Sequence, residues 1–360
     1  MSLKKIAELA GTSVSTVSRV LNSPEHVCSK PGLAERIWKI AQSQHYLPNA
    51  AARSLRLGAP ANTEPFTVDI FLTRFDSMDK DPFFRELFQH LKEDLLQRDC
   101  LLGKVLNSLE IIESNDSSFS AGPIPYKPTQ QIITEKAKYP LAFISQKPNT
   151  GLIVLGKCPK EFLPLLKKRY AHIVGIDRNP TEYEYDEVIC NGMIAAEMAV
   201  EHLISLGHRD IAYIGDCTYE TRYIGYYQAL IRHKLPLNYT RIYPTDQSRE
   251  EGFRTMTALL ASSQRPTAIF CANDCTALGV VDALKRTKKR GYSPSIISID
   301  NIKDSQKTTP MLTTIDIPKK EMGRLALTLL LDRKNGYHQE NVRLELPCHL
   351  IERESCTYAP

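Results

Sequence analysis

Two short amphipathic segments separated by a glycine turn stand at the start of the chain and restrict its fold more than any other feature. Residues 3–22 read LKKIAELAGTSVSTVSRVLN, with apolar residues at helical spacing on both sides of Gly11. Glycine suits the tight turn between two crossed helices. Ser13 suits the N-cap of the second helix, because its hydroxyl can accept a backbone N–H of the first turn. The pattern predicts a helix-turn-helix.

The second predicted helix has one apolar face and one outer face. Val17 and Leu21 are four residues apart and share the apolar side. Val14, Ser15 and Arg19 must then point elsewhere. An arginine can hold guanine with two parallel hydrogen bonds, a serine can donate or accept at a base edge, and an apolar side chain can contact a thymine methyl. This is the chemistry of a recognition helix in the major groove, and a helical cap with a solvated polar face is the alternative.

Basic residues are concentrated in the same part of the chain. Residues 1–58 contain eight Lys and Arg against three Asp and Glu, and this excess of five equals the net charge of +5 of the whole chain. Binding to phosphates needs such a local excess of positive charge. We therefore expect double-stranded DNA as a partner.

A second motif, YLPNAAARSLRLG, occupies residues 46–58. Together with IAELAGTSVSTVSRVLN at 6–22, it closely resembles the head of the LacI/GalR family of bacterial transcriptional regulators. The resemblance implies base contacts from Val14, Ser15 and Arg19 and phosphate contacts from Ser13, Thr16 and Asn22.

The segment after Pro48 is expected to be a hinge. Residues 49–56 make at most about two helical turns, too few for a stable helix alone in water, although the alanines favour helix. We expect it to fold when it docks on DNA. The resemblance implies that hinge helices of two subunits enter the minor groove, where Leu55 inserts between base pairs. The expected contacts are from Asn49, Ala52, Arg53 and Leu55; a plain linker is the alternative.

Composition excludes several classes of protein. The chain of 360 residues is 42% hydrophobic and 24% charged, an ordinary balance for a globular protein. No apolar run is long enough to span a membrane, and the helical pattern at residue 3 leaves no room for a secretory signal, so we expect a cytoplasmic protein. The nine cysteines lack metal-ligand spacing, and we expect neither a metal nor a cofactor.

Beyond residue 65, apolar runs alternate with amphipathic segments. Runs such as VDIFL at 68–72 and GLIVL at 151–155 read as strands, and 83–98 reads as a helix. This alternation favours parallel sheets flanked by helices, with enough chain for two lobes. The predicted fold is an all-α helix-turn-helix head followed by an α/β two-lobed core. The expected domains are 1–48 (head), 49–65 (hinge and linker) and 66–360 (core), with a first lobe of about 66–189 plus 319–336 and a second of about 190–318 plus 337–360.

Polar residues follow several of the predicted strands. Asp177 follows IVGI, Asn273 follows AIFCA, Asp300 follows IISI, and Arg222 begins a helix after IAYIG. Ligands of open parallel sheets bind beyond the carboxyl ends of the strands, and carboxylates with an arginine can bind hydroxyl groups. The set predicts a small-molecule site, although Asn273 alone could cap the helix that follows it.

Two phenylalanines come after the loop of the first strand. Phe83 and Phe84 could present a ring face to a sugar or a base, whereas a core position is the alternative for Phe84. We expect them at the same site.

The core extends the resemblance. The segments VEHLISLGHRDIAYIG (200–215), AIFCANDCTALGVVDAL (268–284) and MLTTIDIPKKEMG (311–323) are similar to the regulatory core of the same family, which is similar to periplasmic sugar-binding proteins. The resemblance implies effector contacts from Asp177, Arg222, Asn273 and Asp300. Gln247 stands where many sugar-responsive members have an aromatic residue.

The resemblance implies a homodimeric repressor of carbohydrate-utilisation genes. It would bind a pseudo-palindromic operator and respond to a small-molecule effector, a sugar, held between the lobes. A regulator of the same architecture that responds to a purine or another metabolite is one alternative, and a solute-binding protein that does not read DNA is another. An enzyme is not expected, because no nucleophile elbow, phosphate loop or metal-spaced histidine pair occurs.

Overall fold

A computed structural model describes residues 3–22, 32–34, 36, 37, 40, 65–73, 81–107, 149–158, 160, 162–218, 220–287 and 291–360. Its internal contacts divide the chain into two units. The head is Met1–Phe66 with Leu96–Leu101, and the core is Thr67–Leu95 with Leu102–Pro360. No helix in the described ranges is long and apolar enough to cross a membrane.

The head begins with two helices joined by a glycine turn. These are α1 (Leu3–Ala10) and α2 (Val14–Asn22), and Gly11 between them has a φ of +63°. Glycine adopts this left-handed conformation without the steric penalty of a side chain. The helices and a third helical segment bury a small apolar core of Ile6, Ala7, Ala10, Val17, Val20 and Ile37. The predicted helix pair is confirmed, except that Leu9, which shares the helical spacing, is 43% exposed.

The core contains two sheets of six strands each in the described part of the chain. Across the first sheet, the strands are β11 (Arg343–Leu346), β5 (Asp186–Cys190), β4 (His172–Asp177), β3 (Thr150–Leu155), β1 (Thr67–Leu72) and β2 (Leu101–Asn107). Across the second sheet, they are β12 (His349–Ile351), β10 (Thr313–Asp316), β9 (Ser295–Asp300), β8 (Ala268–Cys271), β6 (Ile211–Gly215) and β7 (Ile242–Pro244).

Neighbouring strands are parallel in both sheets over almost every pairing. In the first sheet β11, β5, β4, β3 and β1 pair in parallel along the sheet. In the second, only the pairing of β10 with β12 is antiparallel. The carboxyl ends of parallel strands therefore gather at one edge of each sheet, as the alternation of strands and helices predicts.

Helices connect the strands and cover the sheets. They are α3 (Pro82–Gln97), α4 (Leu163–Arg169), α5 (Gly192–Ser205), α6 (Thr221–Arg232), α7 (Arg249–Ala261), α8 (Asp274–Thr287) and α9 (Lys319–Lys334), with short 3-10 helices at Tyr239–Arg241 and Lys303–Lys307. The first lobe buries an apolar cluster that includes Phe71, Leu152 and Leu166, and the second buries one that includes Met256, Ile269 and Val280.

The last third of the chain passes between the lobes more often than expected. Helix α9 packs against β3, β4 and β5 of the first sheet. Strand β11 also lies in the first sheet, where Arg343 to Leu346 align with Glu187 to Cys190 of β5. We expected residues 337–360 in the second lobe, and this is wrong for 343–346, because the edge of β5 takes a further parallel strand. The chain then returns to the second lobe, where β12 pairs with β10, the Ser355 carbonyl accepts the Ile296 N–H and the Ala359 N–H donates to the Leu206 carbonyl.

Candidate functional site

Ser13 caps the helix that was predicted to read DNA. Its Oγ accepts the backbone N–H of Thr16 at 3.1 Å, and it lies 2.8 Å from the hydroxyl oxygens of Ser15 and Thr16. The N-cap oxygen satisfies a backbone donor that has no partner within the helix. The three hydroxyls thus form one cluster at the amino end of α2, the end that recognition helices present to DNA.

The outer face of α2 carries the predicted base-reading residues. Val14 is 42% exposed, Ser15 and Arg19 are also exposed, and Val17 and Val20 are buried. The Arg19 Nε donates to the Ser15 carbonyl at 3.4 Å, which lays the side chain along the helix. The fold therefore separates the predicted reading face from the head's own core. Which of these side chains contact bases stays a prediction.

Several predicted DNA contacts lie outside the described residues. These are the hinge residues Asn49, Ala52, Arg53 and Leu55, whose minor-groove role stays a prediction. The backbone of Asn22 ends α2, but its side chain is not among those described.

Four predicted effector residues lie at the carboxyl ends of the core's parallel strands. Asp177 ends β4, Asp300 ends β9, Asn273 follows β8, and Arg222 is in the first turn of α6. All are at most 9% exposed. The lobes meet at this point, because Arg178 Nη1, next to Asp177 in the chain, donates to Asp300 Oδ1 at 2.5 Å. The structure brings together residues that are distant in sequence.

Arg222 and Gln247 share a network with Glu220, which the sequence reasoning missed. The Nε and Nη2 of Arg222 donate to the two carboxylate oxygens of Glu220 at 2.8 and 2.5 Å. Nη2 also donates to Gln247 Oε1 at 2.8 Å, and Nη1 donates to the Ala272 carbonyl at 2.7 Å. Burial favours the neutral guanidinium, but the Glu220 carboxylate outweighs it and raises the pKa of Arg222. Most of the hydrogen-bond donors of Arg222 are therefore bound to acceptors within the second lobe itself.

Asn273 caps α8, which was the alternative role for this residue. Its Oδ1 accepts the backbone N–H and the hydroxyl of Thr276 at 2.9 and 2.7 Å. Its Nδ2 donates to the Gln247 carbonyl at 3.1 Å. The side chain therefore joins the start of α8 to the loop that carries Gln247, whose φ of +66° lies in the left-handed region.

Asp300 is held in an unusual backbone conformation by contacts from the first lobe. Its φ is +121°, a region that L residues rarely adopt and that functional sites often contain. Besides the ion pair with Arg178, its backbone carbonyl accepts a hydrogen bond from Lys319 Nζ at 2.5 Å, and that ammonium lies 3.7 Å from Glu86. Burial raises the pKa of Asp300, and Arg178 opposes this shift.

Asp274 is a buried carboxylate that the sequence reasoning also missed. Its Oδ1 accepts from the hydroxyls of Ser298 and Thr314 at 2.5 and 2.7 Å, and its Oδ2 accepts the Ile302 N–H at 2.8 Å. Burial, with a smaller effect from Asp300, raises the pKa of Asp274 to about 7. The residue ties α8 to β9 and β10.

The two phenylalanines have different environments. Both are buried, and their rings lie 5.1 Å apart in an edge-to-face arrangement. Asp81 Oδ1 caps their helix by accepting the N–H groups of Phe83 and Phe84 at 3.1 and 3.3 Å. The guanidinium of Arg178 lies 4.4 Å from the centre of the Phe83 ring and 6.0 Å from that of Phe84. Phe83 thus faces the charged groups between the lobes, and Phe84, fully buried, packs in the core.

Polar contacts connect the lobes around these residues. Asn179 Oδ1 accepts the N–H and the hydroxyl of Thr221 at 3.0 and 2.8 Å, and Glu86 Oε1 accepts the Lys303 N–H at 2.8 Å. Asp177 lies beside these contacts, and burial raises its pKa despite the neighbouring Arg178. Side chains from both lobes therefore enclose one polar site, called here the cleft: Phe83, Asp177, Arg178, Glu220, Arg222, Gln247, Asn273 and Asp300.

A cavity of about 240 Å³ lies elsewhere in the second lobe. It is lined by residues that include Asp210, Ile211 and Arg241, near the amino end of β6, and by none of the cleft residues. Its Arg241 is already paired with Asp210, so the convergence of polar groups at the cleft is the stronger sign of a ligand site. No group of three or more His, Cys, Asp or Glu side chains that could hold a metal occurs in the described ranges.

Two protein-family models match the chain, one in the head and one in the second half of the core. A model described as "Bacterial regulatory proteins, lacI family" matches residues 2–49. A model described as "Periplasmic binding protein-like domain" matches residues 200–356.

Full-length relatives carry both regions. The "HTH-type transcriptional repressor PurR" of Escherichia fergusonii is 30% identical over 370 residues, which cover 100% of this chain and 98% of that protein. The repressor of the same name from Erwinia tasmaniensis is 29% identical over 369 residues, with the same coverage.

Solved structures share the fold at lower identity. The transcriptional regulator CelR in complex with cellobiose has a TM-score of 0.66 and 22% identity, covering 99% of this chain and 100% of that one. The lac repressor dimer bound to operator and the anti-inducer ONPF has a TM-score of 0.62 and 21% identity, covering 99% of both chains.

Proposed function

Because the chain belongs to the LacI family of bacterial regulatory proteins, which are DNA-binding transcriptional regulators and not enzymes, we propose that it is a repressor controlled by a sugar bound in its cleft. The observation that carries the proposal is the convergence of buried polar side chains from both lobes, in a chain that also exposes a reading face on α2. The match over the whole length, head included, excludes a solute-binding protein without a DNA-binding head.

The chemistry of the cleft favours a sugar as the effector. Asp177 and Asp300 offer carboxylate acceptors, and the Phe83 ring lies against Arg178, which pairs with Asp300. Acceptors beside an aromatic ring suit the hydroxyls and C–H faces of a sugar. Two structural relatives were solved with cellobiose and with ribose, and the proposal extends this ligand class to the present chain.

A purine or another metabolite is the second candidate, and Gln247 favours it. Many sugar-responsive members have an aromatic residue there, whereas here the amide is 2% exposed and accepts a hydrogen bond from Arg222. The full-length relatives at 29–30% identity are moreover named PurR.

The proposed mechanism is a two-state equilibrium in a homodimer that acts on chromosomal DNA in the cytoplasm. The effector would change the contacts between the lobes, of which the Arg178–Asp300 pair and the Asn179–Thr221 hydrogen bonds are the ones described. The lobes of two subunits would then shift and alter whether the hinge residues 49–56 can fold on the operator. A coupling free energy of about 1–3 kcal/mol suffices for useful regulation.

The experiment selects operator sequences and effectors together. The purified full-length protein is incubated with random DNA duplexes, with and without monosaccharides, disaccharides and purines. A pseudo-palindromic consensus whose affinity one sugar changes would support the proposal and give the sign of the effect. A response to purines alone would favour the second candidate.

Two variants are matched controls for this selection. Arg19→Ala should relax the sequence preference at the base pair that Arg19 contacts and leave effector binding intact, whereas Asp300→Asn, which keeps an oxygen to accept from Arg178, should retain the consensus and lose the response. A consensus that Arg19→Ala leaves unchanged at every position would contradict the assignment of Arg19 as a base reader.

A further inference from the structure

Arg178 is the least satisfied of the buried arginines in the core. It follows the carboxyl end of β4, and its side chain is 2% exposed. Within the described part of the chain, one hydrogen bond of the guanidinium is recorded, from Nη1 to Asp300 Oδ1 at 2.5 Å. Its Nε is buried and has no hydrogen-bond partner among the described residues. A buried donor without a partner is costly, so the environment of Arg178 calls for a further acceptor.

Other arginines of the core show which partner usually binds the Nε and Nη2 atoms of a guanidinium. Nε and Nη2 hold the two oxygens of one carboxylate in Arg222–Glu220 at 2.8 and 2.5 Å, in Arg241–Asp210 at 2.6 and 2.7 Å, and in Arg333–Asp186 at 2.6 and 2.8 Å. This parallel two-bond arrangement is the strongest and most specific that a guanidinium makes. Arg178 has the same two nitrogens, but in the described ranges no carboxylate binds them.

The surroundings hold the guanidinium in place for such a partner. It lies 4.4 Å from the centre of the Phe83 ring, and its third nitrogen, Nη1, is fixed by Asp300. A second cation, Lys319 Nζ, lies 5.7 Å from the same ring. Glu220, the carboxylate across the cleft, is already paired with Arg222. Packing and one ion pair thus fix the orientation of Arg178 before any ligand binds.

We propose that the effector carries a carboxylate or a phosphate, and that two of its oxygens bind Nε and Nη2 of Arg178. This inference rests on the proposed function and narrows the ligand class from sugars to acidic sugars. In the complex the guanidinium bridges two anions, Asp300 through Nη1 and the effector through the other side. Neutral sugars would leave the buried Nε with a single hydroxyl acceptor or none.

The test compares acidic ligands with their neutral parents. Binding of glucuronate, galacturonate, glucose 6-phosphate, glucose and galactose to the full-length protein is measured by calorimetry. We expect an acidic member to bind about ten-fold or more tightly than its neutral parent. The uronates and the phosphate ester separate the two sources of the anionic group.

Matched variants assign the effect to Arg178. Arg178→Lys keeps the positive charge but loses the paired donors, and it should weaken binding of the acidic ligand about ten-fold or more. Arg333→Lys removes the same kind of paired contact from Asp186, distant from the cleft, and should leave ligand binding unchanged. Thermal unfolding of both variants monitors folding.

Three results would overturn the proposal. They are equal binding of acidic and neutral ligands, no binding by any acidic member, and equal weakening by both variants. Operator binding by the same preparations is measured in parallel, so that failure of the acidic-effector proposal can be distinguished from failure of the proposed function. If the protein binds its operator and responds only to a neutral sugar, the proposed function stands and the acidic effector is ruled out. If it binds acidic ligands but no operator, the acidic ligand site stands and the proposed function is ruled out.

Discussion

The head and the cleft use arginine in opposite ways. Arg19 is exposed on α2 and makes one hydrogen bond, to its own helix, among the described residues. Arg178 and Arg222 are buried and bound to the carboxylates of Asp300 and Glu220. An exposed charge contributes little to folding, whereas removing one partner of a buried ion pair leaves an uncompensated charge. Substitutions in the head should therefore impair DNA binding, and substitutions in the cleft should impair the fold as well.

The sharpest test of this contrast is Glu220→Ala. The substitution leaves the Arg222 guanidinium buried without its two-bond partner, so we expect the free energy of unfolding to fall by about 3–5 kcal/mol. Urea unfolding followed by circular dichroism measures the change. Glu321→Ala, which removes an ion pair with Arg324 on the surface of α9, is the control and should change stability little. Equal losses of stability in the two variants would contradict the contrast between buried and exposed ion pairs.

The second prediction concerns pH. Burial raises the pKa of Asp274 to about 7, well above its usual range, so the folded core binds a proton that the unfolded chain has released. Stability from this group is complete below the unfolded pKa of about 3.9 and is lost as pH rises through 7. Burial also raises the pKa values of Asp177 and Asp300, which adds to the same trend.

Asp274→Asn should remove the largest part of that dependence. We expect the decrease in unfolding free energy between pH 5 and pH 8 to shrink by roughly 2–4 kcal/mol. Urea unfolding of the variant and the native protein at both pH values gives the difference. An unchanged decrease would show that Asp274 ionises as readily in the core as in water.

In the head, Arg19→Ala should affect binding and not folding. We expect operator affinity to fall by about 1–3 kcal/mol if Arg19 holds a base with two hydrogen bonds, with an unchanged melting temperature. A mobility-shift titration at fixed salt measures the affinity. Lys168→Ala removes the same charge from an exposed site on α4 in the core and should leave affinity unchanged. A loss of stability as large as that of Glu220→Ala would contradict the contrast.

The smallest effect is expected at Ser13, which caps α2 and is also a predicted phosphate contact. Ser13→Ala removes the acceptor of the Thr16 N–H and should destabilise α2 by about 1 kcal/mol. Hydrogen exchange of the α2 amides measures this locally. Ser13→Thr keeps a capping hydroxyl and should restore most of the protection; if it does not, the cap is not what protects the helix.

The head was predictable because its signals are local. Gly11, Ser13 and the spacing of Val17 and Val20 lie within one short segment, and helical geometry alone then determines which side chains point outward. The cleft was predictable only in part. Parallel sheets gather the carboxyl ends of their strands at one edge, so Asp177 could be placed at that edge of the first sheet and Asp300 at that edge of the second without knowing any contact.

Partner choice in the cleft was not readable from the sequence. Arg178 and Asp300 are 122 residues apart, and Arg222 and Gln247 are 25 apart. Their pairing depends on how the lobes and loops pack. The sequence does contain a weak local signal for Glu220, which stands two residues before Arg222 and caps the same helix. The placement of β11 likewise depends on which sheet edge is open, and no local pattern encodes that.

The return of the chain to the first sheet has a consequence for synthesis on the ribosome. Strands β1 to β5 emerge before any residue of the second lobe. Helix α9, which covers their sheet, and β11, which completes it, emerge only after residue 318. Until then the edge of β5 is an open template for pairing with other nascent chains. Strand β12 of the second sheet emerges after β11, so both sheets are completed only at the end of the chain, and truncation of the final tenth of the message would leave each lobe without an outer strand.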